Sequence, residues 1–219
     1  MVDSAYDPSG VALSYNSIEL AWIVGTITKI LWKADIHPES EGLKQIPHYF
    51  ALDVDKYVPT RVVISEGCRS IEFEAFNGCH LTQVDIPPSV EYIGNYGFSS
   101  SYLESFKLPE RSKVDYLLDS TFFACNDLKS VWLPEGFHTL YGDVFSECSV
   151  LESVHLPSTL NRIGSRCFSF CRNLTRLDYE GTMEQWSKMT RDNRWHEKSS
   201  ILQIVCKDGT IGRDSELFT

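Results

Sequence analysis

The chain has 219 residues, 42% of them hydrophobic, which is enough for one domain with a continuous core. It carries 20 Lys and Arg against 30 Asp and Glu, a net charge of −10. That balance argues against nucleic acid and anionic membranes as partners, since phosphate binding needs clustered cations, and no run of 18 apolar residues suggests a transmembrane helix.

Residues 1–17 are polar and aperiodic, a lead-in to the fold. The first seven, Met1 to Asp7, have neither the basic nor the apolar region of a signal peptide. The protein either acts inside the cell or has had a leader removed. Ile18, Leu20, Trp22 and Val24 alternate, which predicts a strand. Gly25-Thr26 can turn it, and Ile27 to Trp32 predicts a second strand. Residues 1–42 are expected to form an N-terminal cap, because the end units of a stacked fold must close its core. Whether they hide a degenerate repeat stays open. His37-Pro38 and the charges after it place a loop at Asp35–Gly42.

Residues 43–179 repeat. Fragments appear at Leu43, Ile46 and Phe50, then at Val62-Val-Ile64, Ile71, Ala75-Phe76 and Cys79. The next copy reads Leu81-Thr-Gln-Val84-Asp-Ile86-Pro87, with Val90, Ile93, Phe98 and Ser101. Leu103-Glu-Ser-Phe106-Lys-Leu108-Pro109 follows, with Leu117, Phe122 and Cys125. Leu128-Lys-Ser-Val131-Trp-Leu133-Pro134 then leads to Phe137, Leu140, Val144-Phe145 and Cys148. Leu151-Glu-Ser-Val154-His-Leu156-Pro157 leads to Leu160, Ile163, Cys167-Phe168 and Cys171, and Leu174-Thr-Arg-Leu177-Asp-Tyr179 opens one more. The spacing is 23 residues from Leu128 to Leu151 and from Leu151 to Leu174, but 25 from Leu103 to Leu128. A two-residue insertion is therefore expected, near Asp115 to Leu118.

Each copy is physically readable. Leu-x-x-Val-x-Leu ends with period 2, so it is a short strand with Val and Leu inward. The following Pro lacks an N–H and ends the pairing. The chain then turns, touches the core twice more and buries the Phe. One unit cannot bury its own apolar edge, so at least about three must stack. Phe76, Phe98, Phe122, Phe145 and Phe168 are predicted to form one buried ladder.

After Tyr179, Thr182-Met-Glu-Gln-Trp186 predicts a short helix with Thr182 as N-cap and Gln185 at the capping-box position. Arg191–Ser200 is expected to be a polar loop containing Trp195. Ile201–Cys206 and Asp208-Gly209 predict a final strand and hairpin, and residues 212–219 a frayed tail.

Leu-x-x-Val-x-Leu-Pro, then Val/Leu-x-x-Ile-Gly at Ile93-Gly94 and Ile163-Gly164, then Ala/Cys-Phe-x-x-Cys, resembles the leucine-rich repeats of the BspA-like family. The resemblance spans residues 43–211, and residues 180–211 look like that family's closing repeat and cap. It implies an α/β-type repeat solenoid with about six stacked short strands, mostly β and loop with few short helices. It also implies no cofactor, and a role in adhesion or protein recognition at a bacterial or protist surface. The division expected is a cap at 1–42, repeats at 43–179, and a closing repeat, cap and tail at 180–219.

Four of the seven cysteines, Cys79, Cys125, Cys148 and Cys171, stand three residues after a ladder Phe. A disulfide or metal ladder is one reading. Buried free thiols acting as small hydrophobes is the other, and it is favoured. Equivalent side chains in stacked coils run parallel about one strand spacing apart, whereas a disulfide needs converging Cβ atoms about 3.5–4.5 Å apart. No Cys-x₂-Cys spacing points to zinc.

No phosphate-binding, dinucleotide, zinc-protease or nucleophile-elbow motif occurs. Trp195-His196-Glu197 reads as a solvated loop, and Cys79-His80 as a buried ladder thiol beside a surface His. Two function classes remain, with a spacer as a third. The favoured one is a non-enzymatic binding module that contacts a protein or glycan, with no membrane insertion. The other is an enzyme whose site assembles only in three dimensions. The outward residues of successive strands are Arg61 and Val63, Gln83 and Asp85, Ser105 and Lys107, Ser130 and Trp132, Ser153 and His155, Arg176 and Asp178. The predicted binding residues are Trp132, His155, Lys107, Asp85, Arg176 and Asp178. Trp132 is the exception in a polar row, either a hot spot or an indole shielded by the stem of Lys107 or by the chain's own termini.

Overall fold

A computed structural model describes residues 61–64 and 66–218, with the backbone of three strands upstream, Ile18–Trp22, Thr28–Trp32 and Gln45–Ile46. Each repeat forms one coil of a solenoid with three walls. The first wall carries the strands that the Leu-x-x-Val-x-Leu pattern predicts. Arg61–Val63 and Gln83–Asp85 pair in parallel. Ser105–Lys107, Ser130–Trp132, Ser153–Leu156, Arg176–Tyr179 and Gln203–Cys206 pair in parallel in chain order, and Gly209–Gly212 closes that sheet antiparallel. A backbone bond from Glu104 N–H to Thr82 O (3.1 Å) joins the two groups.

Two-residue strands form the second wall. Gln45–Ile46, Ser70–Ile71 and Tyr92–Ile93 make one sheet, and Tyr116–Leu117, Thr139–Leu140, Arg162–Ile163 and Thr190–Arg191 make another. Ile46 is opposite Ile71, and Ile71 opposite Ile93, so the fragment at residue 46 is in the repeat frame.

The third wall is made of turns. Alternate residues send their N–H to the next coil, as from Glu74, Phe76 and Gly78 to the carbonyls of Asn95, Gly97 and Ser99. The turns hold non-glycine residues in the left-handed region, among them Tyr96 (φ 57°), Ser120 (60°), Asp143 (54°) and Glu147 (65°). Each costs roughly 1 kcal/mol, and the inter-coil bonds of the wall offset that cost.

The core runs along the axis. Phe76, Phe98, Phe122, Phe145 and Phe168 are all fully buried, and successive rings stack with centroids 5.2, 5.4, 5.5 and 5.5 Å apart. Ile71, Ile93, Leu117, Leu140 and Ile163 line the second wall from inside.

Helix Met183–Lys188 closes the C-terminal end. Thr182 and Gln185 form the expected capping box, and Trp186 turns into the core. Arg191 lies over the Trp186 ring and donates to the carbonyls of Trp186 and Met189. Burial pushes its pKa down.

Three expectations are corrected. The two-residue insertion falls at residues 110–113, ahead of the second strand. Leu117 pairs in register with Leu140, and Val114 is buried as Phe137 is, leaving no room for an insertion at Asp115–Leu118. Residues 190–200 are not a solvated loop but a further coil: Thr190 pairs with Arg162, and the N–H groups of Phe168 and Phe170 bond to the carbonyls of Trp195 and Glu197. Trp195 is buried there against Phe168. The tail is not frayed either. Phe218 is fully buried against Trp195 and His196, and Trp186 Nε1 donates to Leu217 O at 3.1 Å. Upstream, Ile18–Trp22 and Thr28–Trp32 pair antiparallel. The lead-in at 1–17, the loop at Asp35–Gly42, the closing role of residues 1–42, and Leu43 and Phe50 lie outside the described residues.

All seven cysteines are buried thiols outside any disulfide. Cys125, Cys148 and Cys171 donate to the carbonyls of Phe98, Phe122 and Phe145 one coil back, at 3.0, 3.1 and 3.1 Å. Burial pushes the Cys148 and Cys167 thiols well above the ordinary range, Cys171 up to about 12 and Cys206 up to about 11. The thiolate is the reactive form, and all seven sulfurs, Cys125 included, are buried out of a reagent's reach, so the folded protein should be nearly inert to a thiol-specific disulfide reagent at neutral pH. Denatured, unreduced protein should titrate all seven. A peptide linking Cys125 to Cys148, two hydrogens light, would show a cross-link instead.

Candidate functional site

Along each first-wall strand the period of two sends one residue inward and its neighbours out. Gln83, Ser105, Lys107, Ser153 and Arg176 are exposed, while Arg61, Val63, Asp85, Ser130, Trp132, His155 and Asp178 are half-buried. Parallel register aligns Lys107, Trp132, His155, Asp178 and Val205 in one row across the sheet.

Within that row three side chains stack. Lys107 Nζ lies 4.6 Å from the centroid of the Trp132 ring. The His155 ring is nearly parallel to the indole, 5.4 Å away with 10° between planes. Both neighbours cover the indole, so Trp132 is not a bare exposed ring.

The other predicted residues flank the stack. Arg176 and Asp178 form an ion pair at 2.7 Å, with the Asp178 strand next to that of His155. Asp85 is occupied by Arg61, which reaches its carboxylate through both Nε and Nη2. The structure thus brings together Lys107, Trp132, His155, Asp178 and Arg176. Asp85 belongs to a separate pair on the far side of Lys107.

Beyond His155 the sheet opens into a groove of about 540 Å³, lined by His155, Asp178, Glu135, Ser158, Glu180 and Lys207 among others. Glu180 Oε1 lies 3.7 Å from His155 Nδ1. Glu135 accepts from the Ser158 N–H of the next coil at 2.7 Å, which fixes its carboxylate. Three carboxylates therefore converge beside one aromatic stack. Sequence reasoning missed Glu135 and Glu180 because both follow the strands, outside the alternating pattern. Their offset from the strand end was the available signal.

Elsewhere, Cys79 is buried, while His80 is exposed with its ring on Tyr102 (4.8 Å). Among the described residues no group of three or more His, Cys, Asp or Glu could hold a metal ion. No described helix is long and apolar enough to cross a membrane.

The family described as BspA type Leucine rich repeat region matches residues 58–188 in six copies. The chain belongs to that family. Solved structures of leucine-rich proteins are similar to the chain. One is a leucine rich cell surface protein from Faecalibacterium prausnitzii A2-165, 28% identical, covering 75% of this chain and 41% of that one, with a TM-score of 0.59. A leucine-rich repeat protein from Eubacterium ventriosum shares the fold at 24% identity and a TM-score of 0.60, over 73% of this chain and 41% of its own. The T. pallidum leucine rich repeat protein is 30% identical over 54% of this chain and 58% of its own, with a TM-score of 0.50. The chain thus spans about two fifths of the length of the first two. Comparison with curated proteins gives no match. Leucine-rich repeat proteins are generally non-enzymatic binding modules.

Proposed function

We propose that this protein recognises a protein partner through its first wall, without catalysis. The edge of Trp132 anchors the contact, and the carboxylates of Glu135 and Glu180 receive a basic side chain of the partner beside Asp178, which Arg176 already holds. The observation that carries the reading is the Lys107–Trp132–His155 stack beside that acidic groove. A pre-stacked indole loses little side-chain entropy on binding, and Trp dominates interface energetics. The overall charge of −10 favours a basic partner. We extend to this chain the cell-surface setting stated for the Faecalibacterium prausnitzii neighbour.

An unbiased pull-down from host and bacterial surface extracts with the purified chain identifies the partner, and calorimetry then compares variants. Trp132→Ala should weaken binding by about 2 kcal/mol, near thirtyfold. It should lower folding stability by only about 1 kcal/mol, the scale of one stacking and one exposed cation–π contact. Glu180→Gln should weaken binding less, and more at low salt than at high. Unchanged affinity of the Trp132 variant for the captured partner would sink the proposal.

A further inference from the structure

A second site lies on the third wall, on turns rather than on the sheet. The two positions after each ladder Phe read Ser99-Ser100, Phe123-Ala124, Ser146-Glu147 and Ser169-Phe170 in successive coils. Phe123 and Phe170 are two coils apart, about 10 Å at one strand spacing per coil. Small side chains between them leave a notch of about 340 Å³, lined by both phenyl rings. That volume is at the lower end for small-molecule sites, about 300–1,000 Å³.

The floor of the notch is hydroxylic. Ser146 is 3% exposed and Ser120 6% exposed, and both line the space. In the same column the Ser99 and Ser169 hydroxyls donate to the carbonyls of Phe123 and Arg194 in the next coil, at 3.2 and 3.3 Å. The Ser146 hydroxyl makes no such bond, and neither does that of Ser120, among the described residues. Neither oxygen is a sealed, unsatisfied atom; both are reached from the notch, and hydroxyls that the protein leaves unused are open to a ligand that hydrogen-bonds there.

Charge narrows the ligand class. Asp143 at the rim is held by both arms of Arg166, at 3.0 and 2.7 Å, so its charge is already matched. Lys198 Nζ lies 5.0 Å from the Phe170 ring centroid, taking the cation–π capacity of that ring. Glu147 lines the notch as well and repels an anion. The rest of the lining suits an uncharged ligand, with an apolar face for a phenyl ring and hydroxyls for serine, carboxylate and guanidinium partners, and a choline probe tests the cation that Glu147 alone would attract. We infer that the notch between Phe123 and Phe170 binds a pyranose ring, a sugar unit of a glycan, with the Ser120 and Ser146 hydroxyls and the Asp143–Arg166 pair as its polar contacts. A pyranose offers C–H bonds on one face and alternating donors and acceptors round its edge, which is the pattern of this lining. The site is separate from the first wall and does not depend on the protein partner proposed there.

Saturation-transfer NMR tests this on the full chain, with the methyl glycosides of glucose, galactose, mannose and N-acetylglucosamine as probes and choline and acetate as charged comparators. Saturation should pass to ring C–H protons of at least one glycoside and to neither comparator. Ser146→Ala should raise its apparent Kd about tenfold, the size of one lost buried hydrogen bond, and Phe170→Ala should abolish transfer. Ser146→Ala removes a single oxygen, so it keeps the test decisive if the phenylalanine variant fails to fold. Transfer to none of the four glycosides, to choline instead, or equal affinity in Ser146→Ala would overturn the inference.

Discussion

Phe145→Ala is expected to lower the stability of the fold by about 3–5 kcal/mol, the range for truncating a buried aromatic. For a chain of this length that corresponds to roughly 6–20 °C in Tm. Phe145 is fully buried, and its ring stacks on Phe122 on one side and Phe168 on the other, both at 5.5 Å. The substitution removes two stacking contacts, each worth about 0.5–1.5 kcal/mol beyond burial. It also opens a cavity that fixed coils cannot collapse into, because the N–H of residue 145 is tied to Cys167 O and that of Phe122 to Val144 O. In a solenoid each coil contacts only its neighbours, so a defect in the middle separates the coils before it from those after it. Denaturant unfolding followed by fluorescence and by circular dichroism should shift together for the wild type and separate for the variant. An unchanged melting curve would mean that the Phe ladder is not the core.

The repeat was legible wherever one residue type held one position. Leu, Val and Phe recur in register from Leu103 to Tyr179, and the fold over that stretch, the insertion at 110–113 apart, followed from period and spacing. Legibility failed where a position was filled by a different kind of side chain. Arg191 stands in the slot of Ile163, and Trp195 in that of Cys167. The coil at 190–200 therefore reads as polar although its backbone bonds are those of its neighbours. The helix at Met183–Lys188 compounds this, since it lengthens the unit and shifts the frame. The insertion was misplaced for a related reason: Val114 and Phe137 share a position without sharing a type. Phe218 could not be read at all, because one aromatic near a terminus has no periodicity to place it. The candidate site divides the same way. Lys107, Trp132 and His155 could be aligned from the frame, but the acidic groove depends on residues past the strand ends. The third-wall notch depends on left-handed turns whose residues, such as Ser120 and Glu147, carry no glycine signal.

Gly164→Ala should destabilise the protein by about 3 kcal/mol or more, at the upper end for overpacking. This reverses the usual sign, since Gly→Ala at an unstrained position stabilises by about 0.4–1 kcal/mol through the unfolded chain. The reason is contact between coils rather than backbone dihedrals. A Cβ on Gly164 would lie 2.5 Å from the carbonyl carbon of Tyr141 and 2.7 Å from both Tyr141 O and Gly142 N. All three are backbone atoms, and none can rotate away as a side-chain tip would. The coils would have to part, stretching the bonds from Gly164 N–H to Leu140 O (2.7 Å) and from Asp143 N–H to Ser165 O (2.9 Å). The glycine is a local spacing requirement: at Gly164 it lets the second wall close to hydrogen-bonding distance, whereas the two preceding coils hold Leu118 and Tyr141 in that slot. Gly212→Ala is the matched comparison, because a Cβ there meets nothing within 4 Å, and it should be neutral or slightly stabilising. Chemical denaturation of the two variants side by side decides the matter. Equal stability of both would show that the coils are looser at Gly164 than the contacts of its backbone imply.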